Sequence, residues 1–183
     1  MRAKARLAAS AALVLALSAC SAGPEQPLRG VLATPTDIHL DWTDGRPPVA
    51  GHMLEFATEE AGPYTVVDYL PTRVSSYRHP DLMPNTTFFY RLRAYRGPAS
   101  RPARSEQPDG IRFTWTDTST DEDGFLLEAR RDNGTGYEPV AVLAPDVTGT
   151  TLATLPGERR ASYRIRAFVL AEPSNVVRLT TGE

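Results

Sequence analysis

The run "STDEDG", Ser119 to Gly124, sets three carboxylates among hydroxyls and is the densest collection of oxygen ligands in the chain. A calcium loop of the helix-flanked type closes with a bidentate acid at its twelfth position. Counted from Ser119 that position is Arg130, so the run reads as a solvated loop. His39, His52 and His79 are the three histidines, and their spacing has no cysteine partner or zinc pattern. No strained-elbow motif marks a serine or threonine as a nucleophile. These residues predict no catalytic group, no metal and no cofactor. The remaining reactive side chain is Cys20, the single cysteine.

What surrounds Cys20 gives that thiol a use. Arg2, Lys4 and Arg6 precede an apolar run of 13 residues ending at Ala19. That is too short for a stable span of a hydrocarbon core, which takes about 20 residues. A charged start, a short apolar stretch and small residues at its end are the features of a secretory signal. The stretch "LSAC", Leu17 to Cys20, resembles the lipobox of bacterial lipoproteins. The resemblance implies that residues 1–19 are removed and that Cys20 is acylated. A membrane would then be the first partner, since two or more acyl chains hold where one does not. The protein is expected on the extracytoplasmic face of the cell membrane, or on an outer membrane where the organism has one. Residues 20–27, small and polar with two prolines, read as an extended tether.

Losing residues 1–19 removes three positive charges and moves the formal net charge from -2 to -5. A nucleic-acid partner is therefore not expected.

The elements that must position any site come from a duplication. At an offset of 73, "WTD" at Trp42 to Asp44 falls on "WTD" at Trp115 to Asp117, Gly51 on Gly124, and Leu54–Glu55 on Leu127–Glu128. Tyr64 meets Tyr137, and Tyr90, Arg91, Arg93 and Ala94 meet Tyr163, Arg164, Arg166 and Ala167, all without a gap. Each copy reads as short alternating strands. Ile38, Leu40 and Trp42 share one face in copy one, and Ile111, Phe113 and Trp115 share it in copy two, so both tryptophans are expected as buried anchors. Hairpin turns fall at Glu59 to Pro63 and at Asp132 to Gly136, where Asn133 and Gly134 suit positive φ.

The tryptophan strand, the "VAGHMLEF" stretch (Val49 to Phe56) and the run Leu82, Pro84, Thr86 before "YRLRA" resemble fibronectin type III domains. In copy two "DEDGFLLEAR", "SYRIRA" and "PSNVVRLTT" do the same. The resemblance implies an all-β chain of two tandem antiparallel sandwiches, residues 28–107 and 108–183. The segment Gly97 to Gly110 is too short for a turn, a last strand, a linker and a further first strand. Ala103–Gln107 aligns with Val176–Thr180 as the last strand of copy one, and the first strand of copy two is expected to be missing.

Alternation also predicts an outward face on the third and sixth strands of each copy. It carries Met53, Glu55, Arg91 and Arg93 in copy one, and Leu126, Glu128, Arg130, Arg164 and Arg166 in copy two. Apolar residues flanked by arginines suit a protein interface, while facing opposite charges suit a structural ladder. The leading expectation is a binding or scaffold module for an envelope protein. The alternatives are a polysaccharide-binding module, using Tyr69, Tyr77, Phe89 and Tyr95 as surface rings, or a passive spacer.

Overall fold

The computed structural model describes residues 27–43, 48–101, 103–105, 110–153 and 160–183. Cys20, the expected leader before it and most of the expected tether lie outside the described residues. Copy one supplies β1 (Arg29–Thr34), β2 (Asp37–Asp41), β3 (Gly51–Ala57), β4 (Thr65–Pro71), β5 (Ser76–His79) and β6 (Thr87–Arg96). The short β7 (Ala103–Ser105) follows. Copy two supplies β8 (Ile111–Thr114), β9 (Gly124–Arg131), β10 (Glu138–Leu143), β11 (Gly149–Leu152), β12 (Ala161–Pro173) and β13 (Val177–Thr180). Every strand pair is antiparallel, so the chain is an all-β sandwich structure.

The first core follows from period-two alternation. Ile38, Leu40 and Trp42 are buried and meet Leu54, Tyr90 and Leu92 from the facing sheet. The smaller sheet runs β1-β2-β5, and the larger one includes β4-β3-β6. The second core gathers Ile111, Leu127, Ala129, Ala161 and Tyr163, with Phe113 and Ile165 packed on it. Trp115 corrects its expectation. It is only partly buried and stands beside that cluster, its ring 5.5 Å from Phe125. The hairpin from β9 to β10 turns through a Gly134 N–H to Arg131 carbonyl bond of 2.8 Å, without the positive φ expected at Asn133 and Gly134.

The last strands differ most from expectation. β7 does not fold back on β6, and β13 does not fold back on β12. β13 pairs with β6 instead, Val177 facing Tyr90 and Thr180 facing Thr87. β7 pairs with β12, Ala103 facing Tyr163 and Ser105 facing Ala161. Between these ends Arg96 faces Val169, Arg93 faces Pro173 and Ala99 bridges Arg166. The result is one long two-stranded ribbon, residues 87–101 and 103–105 against 161–180, to which each copy contributes a strand of both sandwiches.

Equivalent bonds recur on either side of its centre. Ser174 N–H donates to the Leu92 carbonyl (2.8 Å) while Leu92 N–H donates to Ser174 Oγ (3.0 Å). Ser100 and Ile165 repeat the pair at 2.8 and 3.1 Å. The last strand of copy one is thus Val177–Thr180, and Ala103, not Arg104, is the counterpart of Val177. The short period accounts for the exchange. A segment with no room for hairpin, strand and linker can still run straight and serve the neighbouring copy.

Because β6 and β12 pair, the two larger sheets merge in the order β10-β9-β12-β6-β3-β4. The merged sheet curls until its edge strands β4 and β10 approach each other. Beside β8 only β11 pairs among the described residues, whereas β2 lies between β1 and β5. Among the described residues, none takes the position of a first strand in copy two.

Candidate functional site

Alternation on β3 and β6 aims Met53, Glu55, Arg91, Arg93 and Tyr95 away from the first core. The same register on β9 and β12 aims Leu126, Glu128, Arg164, Arg166 and Phe168 away from the second. The curl of the merged sheet turns these two sets toward one another. Met53 (3% exposed), Glu55 (5%), Leu126 (0%), Glu128 (2%) and Arg166 (8%) are buried, which corrects the expectation that this face meets solvent. Arg91, Arg93 and Arg164 are half-buried, and Arg130 alone of the nine is exposed.

Charge inside the interface is paired. Arg91 holds Glu55 with two bonds, Nε to Oε2 at 2.8 Å and Nη2 to Oε1 at 3.2 Å. Glu128 takes two guanidiniums. Arg164 Nε binds its Oε2, and Arg166 reaches Oε1 through Nε at 3.0 Å and Oε2 through Nη2 at 3.3 Å. Arg166 also donates to the Gly97 carbonyl, and Arg93 Nε to the Ala171 carbonyl at 2.9 Å, so both arginines tie their own copy to the other's connecting segment. The repeated tyrosines cap the ladders. Arg91 lies 3.9 Å from the centre of the Tyr64 ring, and Arg164 lies 4.0 Å from that of Tyr137. At the middle, Tyr95, Leu126 and Phe168 form an apolar knot with Tyr69 and Leu170. Each such side chain contributes about 1.5 to 3 kcal/mol when fully buried, enough in sum to hold the two copies as one body. Burial, with Glu128 nearby, pushes the Tyr95 hydroxyl well above its usual range, and burial likewise raises Tyr69.

Two features outside the sequence reading explain the closure. Gly51 and Gly124 each lie against an aromatic and against a backbone carbonyl of the neighbouring strand, Leu70 at 2.4 Å and Leu143 at 2.5 Å from an added Cβ. A Cβ at Gly51 would sit 2.1 Å from the Tyr95 hydroxyl, and one at Gly124 3.2 Å from the Phe168 ring. The signal was present as a repeated glycine facing a repeated aromatic on what looked like a solvent face. The second feature, the strand exchange, leaves its trace in the shortness of Gly97 to Gly110.

The rings proposed for sugar stacking do not form an exposed platform. Tyr95 (0%) and Phe89 (8%) are buried, and Tyr69 and Tyr77 are half-buried against other rings. Among the described residues, the large apolar side chains that face solvent include Val31, Leu32, Val66, Met83 and Val142. Asp117, Glu122 and Asp146 converge so that one oxygen of each lies within 4.8 Å of the others. They serve their own loops. Asp117 accepts the Ser119 N–H at 3.0 Å, Glu122 accepts the Asp146 N–H at 3.3 Å, and backbone donors hold the Glu122 carboxyl below its usual range. In copy one, His79 Nδ1 lies 2.9 Å from the Tyr90 hydroxyl, and burial lowers its pKa.

No protein-family model matches the chain, and no curated protein matches it. Among solved structures it is similar to a two-domain fibronectin type III segment of chicken tenascin, at 17% identity over 86% of this chain and 99% of that one, with a TM-score of 0.34. A fibronectin type III domain of the human collagen α-1(XX) chain is 28% identical, covering 42% of this chain and 75% of that chain, at a TM-score of 0.34. A redesigned β-sandwich protein is 20% identical, covering 70% and 89%, also at 0.34.

Proposed function

We propose that this chain, a fibronectin type III-like pair of sandwiches, is a lipid-anchored protein-interaction module displayed outside the cytoplasm. The reading assigns it no catalysis and no cofactor. One observation carries the choice of protein over polysaccharide: among the described residues the exposed large apolar side chains are aliphatic, while the rings a sugar would need are buried or half-buried against other rings. A passive spacer would gain reach by having the chain enter one copy and leave from the other. Here Leu28 bonds Asn175 and the Gly182 N–H bonds the Pro35 carbonyl, so residues near both ends sit on copy one.

In vivo photo-crosslinking with probes on the exposed surface tests the interaction, and specific envelope proteins are the expected products. Even, unspecific labelling would leave the spacer reading in its place. The anchor is tested by intact mass of the membrane fraction, where a chain beginning at acylated Cys20 is expected. Retention of a Cys20→Ser variant on membranes would remove it.

A further inference from the structure

Copy one closes its smaller sheet with a strand that copy two lacks among the described residues. That strand is entered through Leu28, which is 2% exposed and packs with Trp42 and Leu92. The Asn175 side chain holds its N–H and its carbonyl, both at 2.9 Å. From there the chain runs antiparallel along β2, Arg29 facing Asp41 and Leu32 facing Ile38.

The copy-two counterparts of Trp42, Leu92 and Ser174 are Trp115, Ile165 and Ser100. All three line a pocket of about 230 Å³, together with Pro98, Asp117 and Phe125. The pocket therefore lies where copy one seats Leu28, and it opens beside the edge of β8 that pairs with no other strand among the described residues. The strand beneath is less covered than its counterpart. Ile38 is 0% exposed and Ile111 8%, Leu40 is buried and Phe113 only partly so.

We propose that this pocket and the edge of β8 dock an extended strand from a partner protein, a leucine-sized side chain filling the pocket and the following residues adding to the sheet. Strand addition to an open edge takes its affinity from main-chain bonds and its selectivity from pockets for alternate side chains. Charge gives the partner's other feature. On the register by which Arg29 faces Asp41, the residue two places before the anchor would face Asp117, and Glu122 and Asp146 reinforce that acidic end. A basic residue before the leucine fits there. The site deepens the protein-interaction reading above and rests on it.

The probe is a synthetic nonapeptide, two lysines followed by the sequence of residues 28–34, added to the full-length chain in detergent micelles. Saturable binding with slowed amide exchange across Ile111 to Trp115 is expected. Replacing the anchor leucine by aspartate should weaken binding at least tenfold, and replacing both lysines by glutamate severalfold. The protein variant Thr118→Trp, altering an exposed side chain at the pocket, should lose binding at least tenfold with unchanged melting. Absence of protection at Ile111 to Trp115 with millimolar peptide would overturn the site, as would protection at Asp37 to Trp42 instead or equal binding of the aspartate peptide. Failure of the peptide while envelope proteins still cross-link removes this site alone. Peptide binding without any cross-linked protein removes the broader reading and leaves the site.

Discussion

Copy one and copy two share a register of strands, yet among the described residues only copy one has a three-stranded smaller sheet. Copy one has three strands in its smaller sheet, a buried tryptophan and a last strand whose Val177 and Leu179 pack on its core. Copy two has two strands there among the described residues, a half-buried tryptophan, and Ala103 and Ser105 at the register positions of Val177 and Leu179. The exchange thus assigns the more apolar last strand to the copy that precedes it by most of the chain. A duplicated domain need not fold twice in the same way. One copy can be completed by the other's end while the other shows, among the described residues, an edge with no partner.

The largest test removes residues 177–183. Two half-buried aliphatic side chains at about 1 kcal/mol each and ladder hydrogen bonds at about 1 kcal/mol each predict a loss of about 4 kcal/mol, falling on the N-terminal copy. Hydrogen exchange should quicken at Thr87 to Tyr90. Quickening at Ala161 to Tyr163 instead would mean that each copy keeps its own last strand.

Next come the tryptophans. Trp42→Ala should cost about 3 to 5 kcal/mol, and Trp115→Ala clearly less, because its ring is partly exposed before truncation. Equal losses in denaturant titrations would contradict the difference in packing. The two buried carboxylates follow. Glu128→Ala strands two guanidiniums and should cost about 3 kcal/mol or more. Glu55→Ala strands one, which is itself half-exposed, and should cost about 2 kcal/mol. A reversed order would show that the second ladder is the more solvated one.

Much of this contrast can be read in the residues and some cannot. The alternation of Ile38, Leu40 and Trp42 announces a half-buried strand, because one sheet face meets a core whatever lies beyond it. The same alternation placed Met53, Glu55, Leu126 and Glu128 on an outer face. That much is local geometry and holds. Whether an outer face meets water depends on what the rest of the chain lays over it, and no period within a strand records that. The pairing of Glu55 with Arg91 and of Glu128 with Arg164 was legible as a ladder, since facing positions follow from register. The partner of the face was not. Nor was the direction of β7, since "GPASRP" contains good turn residues that would equally allow a hairpin. Only the count of residues to Gly110 spoke against one.

Acid separates the copies more gently, since all three histidines lie in copy one. Burial depresses the pKa of His79, so the folded state favours the neutral ring and the unfolded state binds the proton more readily. The stability this gives is complete above the unfolded value of about 6.5 and declines as pH falls below it. Asp37 adds a loss at lower pH. Its carboxyl is held down first by Arg78 and then by the Asp81 N–H, so its contribution is present above the ordinary carboxylate pKa and fades as pH falls through its depressed value. Between pH 7 and 5 amide-exchange protection in copy one should decline while that of copy two changes little, and His79→Gln should flatten that decline. A decline unchanged in the variant would place the titrating group elsewhere.

The smallest expected difference lies at the ring caps. Tyr64 has one guanidinium over its face, Arg91 at 3.9 Å, whereas Tyr137 has Arg164 at 4.0 Å and Arg130 at 5.3 Å. A cation over a partly exposed ring is worth about 0.5 to 1 kcal/mol, so Tyr64→Leu should cost about that, and Tyr137→Leu somewhat more. Leucine keeps apolar cover over the guanidinium and removes the ring's charge distribution, which makes the electrostatic part the larger share of the loss. Crossing Tyr137→Leu with Arg164→Met isolates the pair, because the coupling that remains belongs to that contact alone. A coupling near zero would show that Tyr137 acts as a lid over Glu128 and not as a partner of the cation. In that case the excess cost of Tyr137→Leu over Tyr64→Leu should persist even when Arg164 is absent.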